Sequence, residues 1–212
     1  MSARSIHHPV FARLYPVLAK AMERGGMAEH RQTLLHGLTG TVVEVGAGDG
    51  MNFGHYPPEV TRVLAVEPEP RLRTLARSAA ARAPVPIEVL DGLADQLPAD
   101  NGGADAVVTS LVLCSVADPA AAVREFRRVL TPGGRLRFLE HVRADTPGLA
   151  RIQRLMDATL WPRLAGGCHT GRDTVTTIEH NSFRIEHLEK FRFPDAATPT
   201  SYHVRGTAVP AE

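Results

Sequence analysis

A glycine-rich segment, Glu44–Gly50, is the clearest chemical signal in the sequence; it reads Glu-Val-Gly-Ala-Gly-Asp-Gly and follows a short apolar run. A glycine turn between a strand and a helix lets a ligand approach the backbone closely. The dinucleotide fingerprint needs glycines at its first, third and sixth positions, but here Met51 takes the sixth position and Gly50 the fifth. Glu44 would repel a pyrophosphate and would suit a cationic ligand. The spacing therefore predicts a turn that binds S-adenosylmethionine and disfavours a nicotinamide cofactor.

Two later segments are candidates for contacts with the nucleoside part of that cofactor. Glu67-Pro68 ends the second apolar run, about twenty residues past the turn, where a carboxylate can accept both ribose hydroxyls. The alternative is a solvated acid in a Glu-Pro-Glu-Pro turn. Residues 92–98 resemble the Gly-Asp-Ala-Glu-x-Leu-Pro run of methyltransferases, with Leu93 in place of its first acid. We therefore expect the adenine amino group to bind Asp95 or backbone carbonyls.

His141 is the candidate general base. It lies at the carboxyl end of the fifth predicted strand, the edge at which open α/β sheets bind ligands, and histidine titrates near neutral pH. A free thiol has a pKa of about 8.5, so a thiol acceptor needs only modest help to ionise. An oxygen or carbon acceptor needs a stronger base. The alternative is a histidine that hydrogen-bonds a neighbouring loop.

Other residues are candidates for contacts with the methyl acceptor: Tyr15, Cys114, Trp161, Cys168, His169 and Arg172. Cys114 and Trp161 could equally pack in the core, and Arg172 could cap a short helix. The helix that carries Tyr15 could be a lid or a plain helical cap. Two cysteines are too few for a disulfide framework, and Cys168 with His169 offers only two ligands, so we expect no metal ion.

The elements that would position these residues alternate along the middle of the chain. Short apolar runs predict strands at residues 41–45, 61–66, 86–90, 105–113 and 135–142, with helices at 71–83 and 119–130. Asp118 is a good N-cap and Pro119 a good first helical residue. The alternation predicts right-handed βαβ units in a mostly parallel sheet with helices on both faces, a Rossmann-like α/β fold.

Further elements flank this core on both sides. Residues 8–38 are predicted to be helical with an interruption at Gly25-Gly26, and residues 147–164 to form one helix. A glycine-rich loop at 166–172, a short helix and strands at 183–191 and 202–209 follow. With 212 residues and no linker, we expect one domain. It would comprise an N-terminal helical cap (1–40), a cofactor-binding core (41–142) and a substrate-side region (143–212).

Composition and charge argue against several classes of protein. The fractions of 43% hydrophobic and 22% charged residues are ordinary for a globular protein, and a net charge of +1 argues against nucleic-acid binding. No stretch approaches the roughly 18 apolar residues of a membrane span, and Met1–His8 lacks the apolar core of a secretion signal, so we expect a cytoplasmic protein. Lys20 and Lys190 are the only lysines among 24 Lys and Arg residues, a bias that predicts a bacterial gene.

Several motifs resemble one enzyme family. Residues 52–58 resemble N-F-x-x-Y-P-P, residues 110–116 resemble T-L-V-L-C-S-V, residues 140–142 match E-H-V, and residues 161–172 resemble W-x-x-x-x-x-G-C-x-x-x-R. These are motifs of the alkyl-thiol S-methyltransferases of the methyltransferase-like seven type, which are class I S-adenosylmethionine-dependent enzymes. The resemblance implies a seven-stranded sheet with the last strand antiparallel, and a cofactor over the carboxyl ends of the first, second and fourth strands. The N-terminal membrane anchor of the mammalian relatives is not expected here.

The motifs and the resemblance together give one set of candidate cofactor-binding residues: Glu44, Gly46, Ala47, Gly48, Gly50, Asn52, Glu67, Pro68, Leu93, Ala94, Asp95, Ser110 and Leu111. The leading hypothesis is methyl transfer from S-adenosylmethionine to a small, rather apolar nucleophile, with a thiol favoured and S-adenosylhomocysteine as product. One alternative is an O- or C-methyltransferase that acts on a quinone, lipid-like or secondary-metabolite acceptor. Another is a non-catalytic protein that binds the cofactor.

Overall fold

The computed structural model describes residues 8–211; residues 1–7 and 212 of the predicted domain lie outside that range. The described part of the chain begins with a helical cap, in which α1 (Pro9–Met22) and α2 (Ala28–Leu35) are joined by a π-helical turn at Glu23–Met27. Gly26 in that turn has a φ of +112°, which is outside the helical range. The predicted interruption of the helical segment is therefore confirmed.

A seven-stranded sheet and the helices around it make up the rest of the chain. In chain order these elements are β1 (Gly40–Val45), β2 (Val60–Val66), α3 (Pro70–Ala80), β3 (Ile87–Leu90), β4 (Ala104–Ser110), α4 (Pro119–Val129), β5 (Leu130–His141), α5 (Pro147–Asp157), α6 (Trp161–Leu164), α7 (Thr174–His180), β6 (Phe183–Arg192) and β7 (Tyr202–Pro210).

The strand order is β3-β2-β1-β4-β5-β7-β6. Strands β1 to β5 pair in parallel, and β7 lies antiparallel between β5 and β6. The predicted sheet with an antiparallel last strand is thus confirmed. The chain order reverses between β1 and β4, and a crevice at the carboxyl ends of the strands beside such a reversal is the usual ligand site of this architecture.

Buried side chains cover both faces of the sheet because successive strand residues point to opposite sides. On one face, Val43 of β1 packs in a cluster with Phe126 of α4 and Ile178 of α7. On the other face, the adjacent Val42 packs with Leu34 of α2 and with Ala76 of α3. The sheet therefore has helices on both faces, as its apolar runs predict.

Individual residues determine where α4 begins, and they explain why residues 147–164 do not form one helix. The Asp118 carboxylate accepts the Ala121 N–H at 2.9 Å, and Pro119 occupies the first turn, as predicted. The prediction of a single helix at 147–164 is wrong, because α5 ends at Asp157 and α6 begins at Trp161. Pro162 explains the break, since a proline inside a helix lacks the N–H donor and clashes with the carbonyl four residues earlier.

Strands β4 and β5 also differ from their predicted limits. β4 ends at Ser110 instead of continuing to residue 113, because Leu111 turns the chain with a φ of +62°. β5 begins at Leu130, and residues 131–134 form a bulge, so that its pairing with β4 jumps from Ala104–Leu130 to Ala106–Arg135.

Within residues 8–211, no helix combines the length and the apolar character that crossing a membrane requires.

Candidate active site

A cavity lies at the carboxyl ends of β1, β2 and β4, where the chain order reverses. It holds about 870 Å³ of space free of protein atoms, part of it open solvent. Its walls include several of the predicted residues: Tyr15, Gly46, Gly48, Glu67, Pro68, Ala94, Ser110 and Leu111. The structure therefore brings together parts of the glycine turn, the end of β2, the loop after β3 and the turn after β4, with α1 placed over them.

The glycine turn is held against the end of β2 and needs glycine for two reasons. The N–H groups of Gly46 and Ala47 both donate to the Val66 carbonyl, at 2.8 and 3.1 Å. Gly46 has a φ of +66°, and a Cβ atom there would lie 2.5 Å from the Val112 side chain. Gly48 has a φ of +58° and stands beside Tyr15. Any side chain at Gly46 would therefore displace the turn after β4.

Glu67 presents a buried carboxylate to this cavity. Its Oε2 accepts the Gly48 N–H at 2.8 Å, and its Oε1 accepts the Glu69 N–H at 2.9 Å. Burial raises the pKa of Glu67 to about 7, although these backbone hydrogen bonds oppose the shift. Each carboxylate oxygen can accept a further hydrogen bond, so the predicted contact with ribose hydroxyls is compatible with this geometry.

Glu44 lies behind the turn and does not line the cavity. Its Oε1 accepts Asn52 Nδ2 at 2.9 Å, and its Oε2 accepts the Tyr56 hydroxyl at 2.7 Å. Burial raises the pKa of Glu44 to about 7 against the effect of these two hydrogen bonds. The carboxylate therefore stabilises the segment that follows the glycine turn, and it does so from the side that faces away from the cavity. Five other predicted cofactor residues also lie outside the cavity wall: Ala47, Gly50, Asn52, Leu93 and Asp95.

Arg31 is a buried residue of this site that the sequence reasoning missed. Its Nη1 donates to Asn52 Oδ1 at 2.9 Å and to Ser110 Oγ at 3.0 Å, while its Nε pairs with Glu23. The side chain thus links α2 to both the glycine turn and the end of β4. Its position in the sequence could have indicated that Arg31 is buried, because Arg31 precedes Leu34 by three residues and therefore lies on the same face of α2.

Tyr15 lines the cavity, whereas Asp49 lies in the glycine turn outside the cavity wall. Tyr15 has a hydrogen bond with Arg31, and burial raises its pKa to about 12. Burial also raises the pKa of Asp49, and among residues 8–211 no group donates a hydrogen bond to its buried Oδ1. A buried carboxylate oxygen without a donor is complementary to a positively charged ligand. The residues around the glycine turn therefore fit S-adenosylmethionine.

Two cysteines and a histidine meet behind the turn after β4. The sulfur atoms of Cys114 and Cys168 and a ring nitrogen of His141 all lie within 4.8 Å of one another. The Cys168 sulfur is 3.5 Å from His141 Nδ1. These residues come from three places in the chain: the turn after β4, the end of β5 and the loop after α6. The structure thus offers three adjacent metal-ligating groups, so the expectation of only two neighbouring ligands is wrong.

The three groups shift one another's pKa values. A hydrogen bond from Cys114 lowers the pKa of Cys168 against the effect of burial, and Trp161 acts in the same direction. The same contact raises the pKa of Cys114. Burial is the largest single influence on His141 and lowers its pKa, but Cys114, the Glu140 carboxylate and a hydrogen bond with the Thr200 backbone together raise the pKa of that ring.

Buried polar contacts fix the turn that carries Cys114. The Glu140 carboxylate accepts the N–H groups of Val112 and Cys114, at 3.1 and 3.2 Å. Arg172 Nη1 donates to two carbonyls of the turn, those of Leu113 and Val116, both at 2.7 Å. Sequence reasoning did not assign this role to Glu140.

The other predicted acceptor-side residues also lie outside the cavity wall. Arg172 does not cap α7, because Asp173 accepts the Thr176 N–H there. The Trp161 indole nitrogen is buried, and within residues 8–211 it has no nitrogen or oxygen acceptor. His169 Nδ1 lies 2.8 Å from the Gly167 carbonyl, so its ring contacts its own loop.

Known proteins resemble the chain in sequence and in fold. Residues 43–138 match a family described as a methyltransferase domain. The chain is 32% identical to the thiol S-methyltransferase TMT1B of Homo sapiens over 209 residues, which cover 94% of this chain and 85% of that protein. It belongs to the thiol S-methyltransferase family. This member is also 37% identical to TMT1B of Rattus norvegicus over 174 residues, 80% of this chain and 70% of that one.

The solved structures agree with this assignment at the level of the fold. A SAM-dependent methyltransferase of Thermotoga maritima matches this family member with a TM-score of 0.67, over 93% of this chain and 98% of that chain, at 20% identity. At such an identity the likeness shows the fold alone. Sequence and fold together make this family member an S-adenosylmethionine-dependent methyltransferase, as its motifs predict.

Proposed function

We propose that this methyltransferase transfers a methyl group to the sulfur of a small, rather apolar thiol and releases S-adenosylhomocysteine. One observation carries the proposal: the cavity beside the glycine turn continues along an apolar wall of Phe11, Val112 and Val116, and the buried Cys114 stands between the last two in the chain. The relatives named as thiol S-methyltransferases support the choice of sulfur as the acceptor atom.

The residues of the glycine turn would hold the cofactor end of the cavity. The backbone at Gly46 and Gly48 lies open to a ligand, and Glu67 offers its carboxylate for ribose hydroxyls. Asp49 lies in the glycine turn outside the cavity wall, and its carboxylate adds negative charge near the end at which a cationic ligand would bind. Bound S-adenosylmethionine supplies a methyl group that is already activated on a sulfonium sulfur. The main task of the protein is then alignment, which contributes up to about 7–11 kcal/mol in favourable cases.

The apolar wall determines what kind of acceptor fits. Phe11 packs against Tyr15 with ring centroids 5.0 Å apart, and both side chains belong to α1 over the cavity. These rings make that end of the cavity apolar, and a soft sulfur anion gains reactivity where water is excluded. His141 lies behind the wall, and we propose that it promotes loss of the acceptor's proton. A thiol needs little such help, and among residues 8–211 the cavity wall offers His8 and the carboxylates as further bases.

The proposal also covers the cellular location of the enzyme, the class of its acceptor and its source. Two free cysteines, Cys114 and Cys168, support a reducing, cytoplasmic location. The net charge of +1 supports a small-molecule acceptor over a nucleic acid. The arginine bias supports a bacterial source.

A panel of acceptors with labelled S-adenosylmethionine tests the proposal. We expect methyl thioethers from small apolar thiols and no product from matched phenols and quinones. Replacement of His141 by alanine should lower turnover by about 100-fold, within the usual range for a group that assists proton transfer, and leave affinity for S-adenosylhomocysteine unchanged. The exposed His180→Gln is the matched control and should behave as the wild type. Methylation of phenols or quinones without thiols, or cofactor binding without turnover, would contradict the proposal.

A further inference from the structure

The Cys114, His141 and Cys168 side chains have the spacing of a preformed metal site. A tetrahedral zinc ion, with Zn–S bonds of about 2.3 Å and Zn–N bonds of about 2.0–2.1 Å, separates its ligand atoms by roughly 3.4–3.8 Å. The Cys168 sulfur and His141 Nδ1 are 3.5 Å apart, and all three ligand atoms lie within 4.8 Å of one another. Side-chain movements of about 1 Å or less would thus complete the geometry.

The ligand chemistry selects a soft divalent ion. Two thiolates and an imidazole suit zinc, whereas calcium and magnesium prefer oxygen ligands. Cys114 is 1% exposed and Cys168 is 7% exposed, so both sulfurs are shielded from competing water. Two cysteines and one histidine leave the fourth position of a tetrahedral ion free, which is the arrangement of catalytic zinc sites and not of closed structural ones.

Surrounding contacts hold His141 and the backbone at Cys114 in place. His141 also has a hydrogen bond to the backbone of Thr200, the kind of second contact that orients most metal-binding histidines. The Glu140 carboxylate holds the Cys114 N–H, and the His169 N–H donates to the Cys114 carbonyl at 2.7 Å. The fold therefore pre-organises the ligands, so these side chains would lose little conformational entropy when an ion binds.

The cluster borders the cavity on one side. Ser115 and Gly166 line the cavity; Ser115 follows Cys114 in the chain, and Gly166 precedes Cys168 by two residues. The Cys114 sulfur lies 3.5 Å from the Ser115 hydroxyl. A ligand that contacts Ser115 in the cavity is therefore separated from the Cys114 sulfur only by the Ser115 side chain.

We propose that Cys114, His141 and Cys168 bind a zinc ion, and that the free fourth position of this ion takes the sulfur of the acceptor thiol. The metal site stands on its own geometry, whereas the role toward the acceptor rests on the proposed function. The ion replaces a proton-accepting base, because thiol sulfur bound to zinc is present as thiolate. His141 then promotes loss of the acceptor's proton as a ligand of the ion, and not by accepting that proton itself.

The reaction balances without an oxidant or a reductant. The acceptor thiol gives its proton to water when its sulfur binds the ion. A lone pair of that sulfur forms the new bond to the methyl carbon, while the bond from this carbon to the sulfonium sulfur breaks and leaves its electron pair there. The products are a neutral thioether, S-adenosylhomocysteine and one proton. A thioether is a weak ligand, so water displaces it.

Zinc titration of the reduced full-length protein tests the metal site. We expect one zinc ion per chain by calorimetry, and affinity about 100-fold weaker or worse in Cys114→Ser, Cys168→Ser and His141→Ala. The exposed His180→Gln is the matched control and should bind as the wild type. Affinity for S-adenosylhomocysteine, measured on each variant, shows that the fold is intact. Reduced wild type that binds no zinc, or a Cys114→Ser variant that binds as tightly as wild type, would overturn the proposal.

Cobalt substitution tests the role of the ion separately from turnover. With Co²⁺ in the site, addition of 2-mercaptoethanol without cofactor should change the visible absorption bands of the metal, because a new sulfur ligand enters. Unchanged bands at thiol concentrations that support methylation would refute the role and leave the proposed function standing. Changed bands without methylation of any thiol would support the metal site and refute the proposed function.

Discussion

Replacement of Glu44 by glutamine should change how stability depends on pH. Burial raises the pKa of Glu44 from 4.5 to about 7 in the folded chain. The folded state therefore holds a proton that the unfolded state releases, so this group favours folding at low pH and loses that effect as pH rises through about 7. At 1.36 kcal/mol per pKa unit, the change between pH 5 and pH 8 is about 2.5 kcal/mol.

Urea denaturation of the cofactor-free protein measures this effect as a difference between variants. The free energy of unfolding of the wild type should fall relative to that of Glu44→Gln by about 2.5 kcal/mol from pH 5 to pH 8. Glu67 is present in both proteins, so its own titration cancels in the difference. The exposed Glu59→Gln is the matched control and should track the wild type at each pH. A flat difference for Glu44→Gln would refute the buried Glu44–Asn52–Tyr56 network.

Three further substitutions test the site at separate points. Glu67→Ala removes the acceptor of the Gly48 N–H and should weaken S-adenosylmethionine binding at least tenfold by calorimetry. Gly48→Ala forces a φ of +58° on a residue with a Cβ, so the free energy of unfolding should fall by about 1–2 kcal/mol. Glu140→Gln sets an amide donor against the Val112 or Cys114 N–H and should cost about 1–3 kcal/mol in urea denaturation. Wild-type values in these assays would contradict the assigned contacts.

The sheet could be predicted because its signals are local. Apolar runs separated by helices, with Asp118 and Pro119 at the start of α4, determine the βαβ units before any tertiary contact is known. The errors occur where one residue overrides the pattern. Leu111 ends β4 through a left-handed conformation, and Pro162 divides an otherwise helical segment. Such effects depend on a single backbone position, and hydrophobic periodicity does not report them.

The candidate site could be predicted only in part, because its contacts join distant residues. The glycine turn and Glu67 follow from their spacing along the chain. Arg31 and Ser110 are 79 residues apart in sequence, and a hydrogen bond between them requires the packed structure. The meeting of Cys114 with Cys168 depends in the same way on how the loop after α6 returns to the sheet.

The helical cap belongs to the cofactor site because one buried and one half-buried side chain of the cap reach the switch point between β1 and β4. Arg31 of α2 holds Asn52 and Ser110, and Tyr15 of α1 forms part of the cavity wall. A ligand that binds only the folded cavity stabilises every element that completes it. Cofactor binding should therefore protect the backbone amides of α1 from hydrogen exchange as strongly as those that follow β1. Protection confined to the sheet would mean that the cap is an independent unit, and that Tyr15 contributes nothing to the cofactor site.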